Sequence, residues 1–342
     1  MSAGALGPAR RDLGEGSGDR VLLLTDPAME RHAAPGHPER HERLAAVAAG
    51  VEAGTAAAGA ELSVRTPSAA DDDAITAVHD REYLAALDQL DASGGGWIDP
   101  DTYLAPGSMH AARLAAGAAI EAALTVAAGE FAIAFSVSRP PGHHASARRA
   151  GGFCLLNNVA IAATALRRAS LAQRIVILDW DVHHGDGTQA IFDEDPDLLY
   201  ASTHQRPLYP GSGSPDERGR GAAAGTMHNL TLSPGADDDA FVAAWQDLLE
   251  AVRAFRPEAI LVSAGYDGHR DDPLANLAIT EDGYRAVSEA VAAVTEDLGL
   301  RGAALVLEGG YDLRALERSA AATVEGLLRG RSGAIPDGPS RA

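Results

Sequence analysis

At 342 residues with 46% hydrophobic side chains, the chain is long enough to bury the core of one large α/β domain. Its formal net charge of −20 argues against a nucleic-acid backbone as partner and favours cationic ligands through long-range steering. All 28 basic residues are arginine, which excludes Schiff-base and lysine-base chemistry, and a single Cys154 excludes an intramolecular disulfide and a cysteine-ligated zinc. The arginine-only, alanine-rich composition reads as the base bias of a GC-rich, bacterial genome. With no signal-peptide core and no run of about 18 apolar residues, the sequence predicts a soluble cytoplasmic protein without membrane contact.

In chain order, residues 1–19 are polar and glycine-rich and are expected to be a disordered extension. A catalytic domain is expected over 20–328 and a flexible tail over 329–342. Within the domain, apolar strand-like runs fall at 21–24, 131–137, 174–178, 198–201, 228–232, 259–263 and 303–307. Helical stretches rich in alanine and leucine fall near 38–50, 107–128, 155–168, 238–255, 281–297 and 312–328. Continuous apolar strands separated by helices predict a mainly parallel sheet covered on both faces. In such a fold the site forms beyond the carboxyl ends of the strands. Four polar clusters fall there: Pro140-Pro-Gly-His-His144, Asp179 to Asp186, Gly265-Tyr-Asp-Gly-His269 and Glu308-Gly-Gly-Tyr311.

The stretch Asp179-Trp-Asp-Val-His-His-Gly-Asp-Gly187 crowds three carboxylates and two imidazoles after a buried strand, where each is costly unless paired or metal-bound. An extended backbone through His183 would send Asp179, Asp181 and His183 to one side, aiming Asp181 and His183 at one metal. Asp267, ending another apolar strand beside glycines, is the best third ligand, a turn-forming aspartate being the other reading. Two carboxylates and one imidazole make a harder donor set than most zinc sites, so Fe(II) and Mn(II) stay open. The tandem His143 and His144 invite two carboxylate–imidazole pairs with Asp179 and Asp186, one imidazole serving as general base and acid. Tyr311, freed by the preceding glycines, is a candidate donor to a developing oxyanion. His184 is left in a supporting role, and the remaining histidines are assigned no chemistry.

These residues resemble the histone deacetylase family within the arginase–deacetylase fold. The resemblance runs from about 21 to 325 and rests on Pro35-Gly-His-Pro-Glu-Arg40, Asp101-Thr-Tyr103, Arg139-Pro-Pro-Gly-His-His144, Gly152-Phe-Cys154, Asp179 to Thr188, Tyr209-Pro-Gly211, Gly265-Tyr-Asp267, Asp272-Pro-Leu274 and Glu308-Gly-Gly-Tyr311. The Gly-His-Pro-Glu-Arg and Asp-Pro-Leu elements resemble class II members and their bacterial relatives. The resemblance implies a single-domain, three-layer α/β fold. It also implies zinc on Asp181, His183 and Asp267, with His144 as general base held by Asp186 and His143 as electrostatic partner held by Asp179. Tyr311 matches the tyrosine that polarises the acyl carbonyl. Gly152, Phe153, Tyr209 and Leu274 match the tunnel and its mouth, Asp101 a rim carboxylate, and Arg40 a residue of the internal channel. A structural potassium ion is implied at Asp179, Ser202 and backbone oxygens of Asp181, His183 and Thr203. Cys154 is read as a packed neighbour of the tunnel and not a nucleophile.

The activity so implied is removal of acetyl or another short acyl group from acyl-lysine in proteins or peptides. Acetylpolyamines and other small N-acyl amines are the alternative substrates; apolar Leu274 leans to acyl-lysine and the negative charge leans the other way. A homo-oligomer is compatible with the sequence. A two-metal ureohydrolase is disfavoured because Gly185 stands where a bridging aspartate is needed. An inactive acyl-lysine-binding module is disfavoured because every reacting group is present.

Overall fold

Apolar, β-branched runs such as Ile175–Asp179 are buried along their whole length, which a strand can be only inside a sheet covered on both faces. The computed structural model describes residues 20–331, so the expected extension 1–19 and the tail from 332 onward lie outside the described residues. The strands are β1 (Arg20–Leu24), β2 (Glu61–Arg65), β3 (Gly96–Trp97), β4 (Tyr103–Leu104), β5 (Ile133–Ser136), β6 (Ile175–Asp179), β7 (Leu198–Gln205), β8 (Met227–Leu232), β9 (Ala259–Ala264) and β10 (Ala303–Leu307). Eight form one sheet in the order β2-β1-β5-β10-β9-β6-β7-β8, and every pairing in it is parallel. β3 and β4 make a separate antiparallel hairpin.

The helices are α1 (Glu42–Ala57), α2 (Asp72–Ile75), α3 (Arg81–Ala92), α4 (Ser108–Ala127), α5 (Asn158–Arg168), α6 (Asp186–Phe192), α7 (Asp238–Phe255), α8 (Glu281–Asp297) and α9 (Leu313–Arg331). α1, α9, α8 and α7 pack in a continuous row against one face of the sheet, and α4 with α5 covers the other. The result is a three-layer α/β domain, as the alternation of strands and helices predicts. α4 is buried nearly all round, which its alanines permit and a larger side chain would not. A Cβ on Gly117 would stand 1.8 Å from the Ser68 carbonyl, so the chain before α2 lies directly on this helix. Side-chain caps start α5 at Asn157, α7 at Asp237 and α8 at Thr280.

The sequence pattern did not reveal β2, an edge strand with a mostly exposed face, nor α3, whose charged residues dilute its apolar stripe. α1 begins at Glu42 rather than 38, because residues 38–41 turn before entering it. α9 runs through Arg331, so residues 329–331, expected in the tail, are helical. Among the described residues no helix is long and apolar enough to cross a membrane.

The order of the strands decides the site. β5, β10, β9 and β6 are neighbours, and each is followed by one of the four polar clusters. Loops that are remote in sequence therefore leave the same edge of the sheet side by side.

Candidate active site

β6 ends at Asp179, and the expected extension through His183 does not occur. Asp179 Oδ1 accepts the Asp181 N–H at 3.2 Å and Asp181 Oδ1 accepts the His183 N–H at 2.9 Å, so two successive side chains bend the chain off the strand. Asp179 is absent from the cavity lining, and the His143 ring lies between it and Asp181, Nδ1 3.1 Å from Asp179 Oδ2 and Nε2 3.8 Å from Asp181 Oδ1. Asp181 and His183 still converge, with Asp267 arriving from the loop after β9: Asp181 Oδ1 and Asp267 Oδ2 each lie 3.1 Å from His183 Nδ1. One ligand atom from each of the three lies within 4.8 Å of the others. The carboxylates are anchored from behind, Asp181 by the Gly309 N–H at 2.7 Å and Asp267 by the Val182 N–H at 2.9 Å.

This set fits a divalent metal. Two fully buried carboxylates this close need a cation between them, and two oxygens with one imidazole nitrogen form a three-ligand set beside a cavity, leaving room for a fourth position. Burial opposes a charged imidazole, yet the Asp181 and Asp267 carboxylates push His183 up to about 10. Against the same cost of burial, His143 and His183 hold Asp181 well below the carboxylate range. Asp267 is pushed upward by burial and by Asp181.

The tandem histidines arrive from the loop after β5. His143 Nδ1 lies 3.1 Å from Asp179 Oδ2, and His144 Nδ1 lies 2.7 Å from Asp186 Oδ1 at the start of α6. Both imidazoles are buried, with ring centroids 4.1 Å apart. Their electrostatics diverge. His143 is raised well above the ordinary imidazole range, Asp181 and Asp179 outweighing its burial. Burial and then the charge of His143 lower His144 to about 3. Each ring has its Nδ1 on a carboxylate, which leaves Nε2 as the nitrogen available to a reactant.

A cavity of about 230 Å³ opens on this floor, lined by Asp101, His143, His144, Gly152, Phe153, Asp181, His183, Tyr209, Leu274 and Tyr311 among others. All five residues expected at the tunnel and rim line it. Gly152 (φ 54°) and Phe153 (φ 69°) form a left-handed hairpin tip, and a Cβ on Gly152 would stand 2.3 Å from the His144 ring. A phenylalanine in this region is strained; the Thr102 hydroxyl accepting its N–H at 3.1 Å helps hold it. Phe153 meets Tyr311 edge-on at 5.7 Å, and Tyr209 meets His144 edge-on at 5.0 Å. Of the expected monovalent-cation residues, Ser202 has its hydroxyl on His204 Nδ1 at 2.9 Å. Thr203 Oγ1 is buried without a hydrogen-bond partner among the described residues.

The histone deacetylase domain model matches residues 37–327, which contain every residue of this constellation. The chain belongs to the histone deacetylase family. A probable deacetylase of Archaeoglobus fulgidus is 39% identical over 293 residues, 85% of this chain and 81% of the relative. Among solved structures, the HDA15 HD domain aligns with a TM-score of 0.83 at 34% identity, covering 91% of this chain and 90% of that one. An acetylpolyamine aminohydrolase from Burkholderia pseudomallei aligns with a TM-score of 0.79 at 32% identity, covering 90% and 98%.

Within this histone deacetylase family member, one expected position is corrected. Arg40 is exposed on the turn before α1 and lines nothing internal. The arginine that is buried beside the site is Arg43, one helical turn on, whose Nε donates to the Gly310 carbonyl at 2.6 Å and whose guanidinium also bonds the Glu308 carbonyl and stacks 5.0 Å from the Tyr311 ring. Three further residues escaped the sequence reading. Tyr200 donates to Asp179 Oδ2 at 2.8 Å. Glu308 accepts the N–H groups of Gly142 at 2.7 Å and His143 at 3.1 Å, fixing the histidine loop. Asp272 accepts the N–H groups of Tyr311 at 2.6 Å and Leu274 at 3.0 Å, tying the two loops together. Glu308 stands directly after the apolar strand β10, which was the available signal for it, and Asp272 stands in the Asp-Pro-Leu motif; nothing marked Tyr200. His184, with Nδ1 on Ser212 at 2.8 Å and Nε2 on Gln189 at 3.1 Å, lies outside the cavity lining. Cys154 is buried, and burial pushes its thiol well up, away from the reactive thiolate.

Proposed function

We propose that the chain is a zinc-dependent amidohydrolase that removes acetyl or another short acyl group from acyl-lysine side chains. The observation that carries this reading is the convergence of Asp181, His183 and Asp267 with two carboxylate-bound imidazoles and Tyr311 around one narrow cavity.

Asp181, His183 and Asp267 would hold the metal, which when bound supplies Lewis acidity and brings a water towards deprotonation near neutral pH. His144, neutral and oriented by Asp186, accepts the proton of the attacking water through Nε2. It returns that proton to the amine nitrogen as the carbon–nitrogen bond breaks, so water is consumed and a carboxylic acid and an amine leave. His143, held by Asp179, keeps positive charge beside the developing oxyanion, and the Tyr311 hydroxyl donates to it. Phe153 and Tyr209 flank the aliphatic stem of the substrate, and Asp101 at the mouth accepts from its backbone amides. The harder donor set also suits Fe(II). We extend the reading to a potassium ion beside Asp179 and Ser202, which face one another in register on β6 and β7, with backbone oxygens of Asp181, His183 and Thr203.

Apolar Leu274 at the mouth favours acyl-lysine. A second reading, deacetylation of acetylpolyamines or other small N-acyl amines, is favoured by Asp101 at the same mouth and by the net charge of −20. The test is a kcat/KM panel of acyl-lysine peptides and acetylpolyamines on protein loaded with zinc or Fe(II), in potassium or sodium buffer. Acyl-lysine peptides should be the better substrates. Higher kcat/KM for acetylpolyamines reverses the order of the two readings, and no turnover of either class overturns both in favour of a binding module.

A further inference from the structure

We propose that Arg149 is a positioning residue for the acid–base pair, holding Asp186 in the orientation that serves His144. This rests on the reading of His144 as general base. Asp186 divides its two oxygens: Oδ1 lies 2.7 Å from His144 Nδ1, and Oδ2 accepts from Arg149 Nη2 at 2.9 Å. A carboxylate with one partner rotates freely about its last torsion, and a second donor on the far oxygen removes that freedom.

Arg149 is delivered rigidly. It closes a tight hairpin that directly follows the histidine pair, Ser146 donating its N–H to the Arg149 carbonyl at 2.9 Å. The tip of that hairpin is fastened to the start of α3, where Ala147 accepts the Asp80 N–H at 2.9 Å and Arg148 pairs with the Asp80 carboxylate. A second hairpin, Gly151 to Cys154, follows at once and carries Phe153. Arg149 therefore sits where the histidine loop and the tunnel wall meet, and reaches across to the first residue of α6. The Arg149 side chain is 66% exposed and that of Asp186 16%, so the guanidinium approaches the pair from solvent. Arg149 is absent from the cavity lining.

Such a half-exposed pair adds little to stability and is weakened by salt. Its effect belongs on turnover. Arg149→Gln in the full-length, metal-loaded protein should lower kcat about 3- to 10-fold at low ionic strength, in the lower range for a residue behind a reacting group, with KM unchanged. Arg149→Lys, which keeps the charge, should recover most of that loss. The wild-type kcat should decline towards that of Arg149→Gln at about 0.5 M salt, where the Debye length is a few ångströms, while the variant stays flat. Wild-type kcat in Arg149→Gln at low salt, a loss confined to KM, or a salt-independent wild-type kcat would each overturn the role. His144→Ala separates the two levels: if it retains near-normal activity the base assignment itself falls, whereas full loss there with an unaffected Arg149→Gln removes only the role of Arg149.

Discussion

The hydroxyl of Tyr200 donates to Asp179 Oδ2 over 2.8 Å, on the same oxygen that faces His143 Nδ1 at 3.1 Å. It also accepts the Gly185 N–H at 3.1 Å, so one buried oxygen holds the carboxylate behind His143 and the turn that leads into α6. Tyr200→Phe would leave Asp179 with a donor fewer and Gly185 with a buried, unpaired N–H. We expect kcat to fall about tenfold and unfolding free energy to drop by about 1–3 kcal/mol, with metal content unchanged. Steady-state kinetics, urea titration and elemental analysis on one preparation check all three.

His144 and His143 should fail differently. His144→Ala removes the proton acceptor and should cut kcat by about 10²–10⁴-fold with metal retained. His143→Ala leaves that acceptor in place but strips the charge facing Asp179 and Asp181, and the smaller loss should fall on kcat rather than KM. Equal losses in the two variants would contradict the division of labour.

Asp181→Asn tests the ligand set through its metal content. The side chain keeps an acceptor for the His183 N–H but loses the charge that draws a cation. Zinc content after dialysis should fall well below that of the parent, and stoichiometric zinc would remove Asp181 from the set.

Tyr311→Phe should cost mainly kcat, because the hydroxyl contact forms as negative charge develops on the carbonyl oxygen. Its backbone stays pinned by Asp272, so the ring should not move. A pure KM effect in the peptide assay would instead make Tyr311 a binding contact.

Acid stability carries a separate expectation. His79 is buried with Nε2 accepting the Asn157 N–H at 2.9 Å, and burial lowers it to about 4. Its folded pKa lies below the unfolded value, so the unfolded chain takes up the proton first. The stabilisation is complete above about pH 6.5 and is lost as pH falls towards about 4. His79→Gln, whose amide oxygen can take over as acceptor, should reduce the loss of unfolding free energy between about pH 7.5 and about pH 5 by about 2 kcal/mol. Glu308, raised to about 7 by burial, acts in the opposite sense, but it is common to both proteins and cancels in the comparison. An identical pH dependence in parent and variant would refute the assignment.

The residues that could be read in advance were those at the ends of apolar strands. A buried strand declares itself by composition, and a carboxylate or imidazole just past it stands out, so Asp181, His183, Asp267, His143, His144 and Tyr311 were legible with their partners Asp179 and Asp186. Arg43 was not, because choosing it over Arg40 depends on where α1 begins, and the turn residues before Glu42 conceal that start by one helical turn. Tyr200 was hidden for the opposite reason: inside β7 an aromatic reads as core, and only the register Ile177↔Tyr200 with the neighbouring strand brings its hydroxyl near Asp179. The end of β6 was hidden as well, because a period of two holds only while the strand continues, and the Asp179 side chain helps end it.

The glycines behind the carboxylates have a practical consequence. A Cβ on Gly309 would stand 2.1 Å from Asp267 Oδ2 and 2.6 Å from Asp181 Oδ2, and one on Gly265 would stand 2.1 Å from Asp181 Oδ2. Bare backbone on two sides fixes the depth of the pocket, so the floor offers no position for redesign. Anyone wishing to retune this catalyst for bulkier acyl chains or other amines must work from the entrance, at Leu274, Tyr209 and the hairpin of β3 and β4, where side chains can still be exchanged.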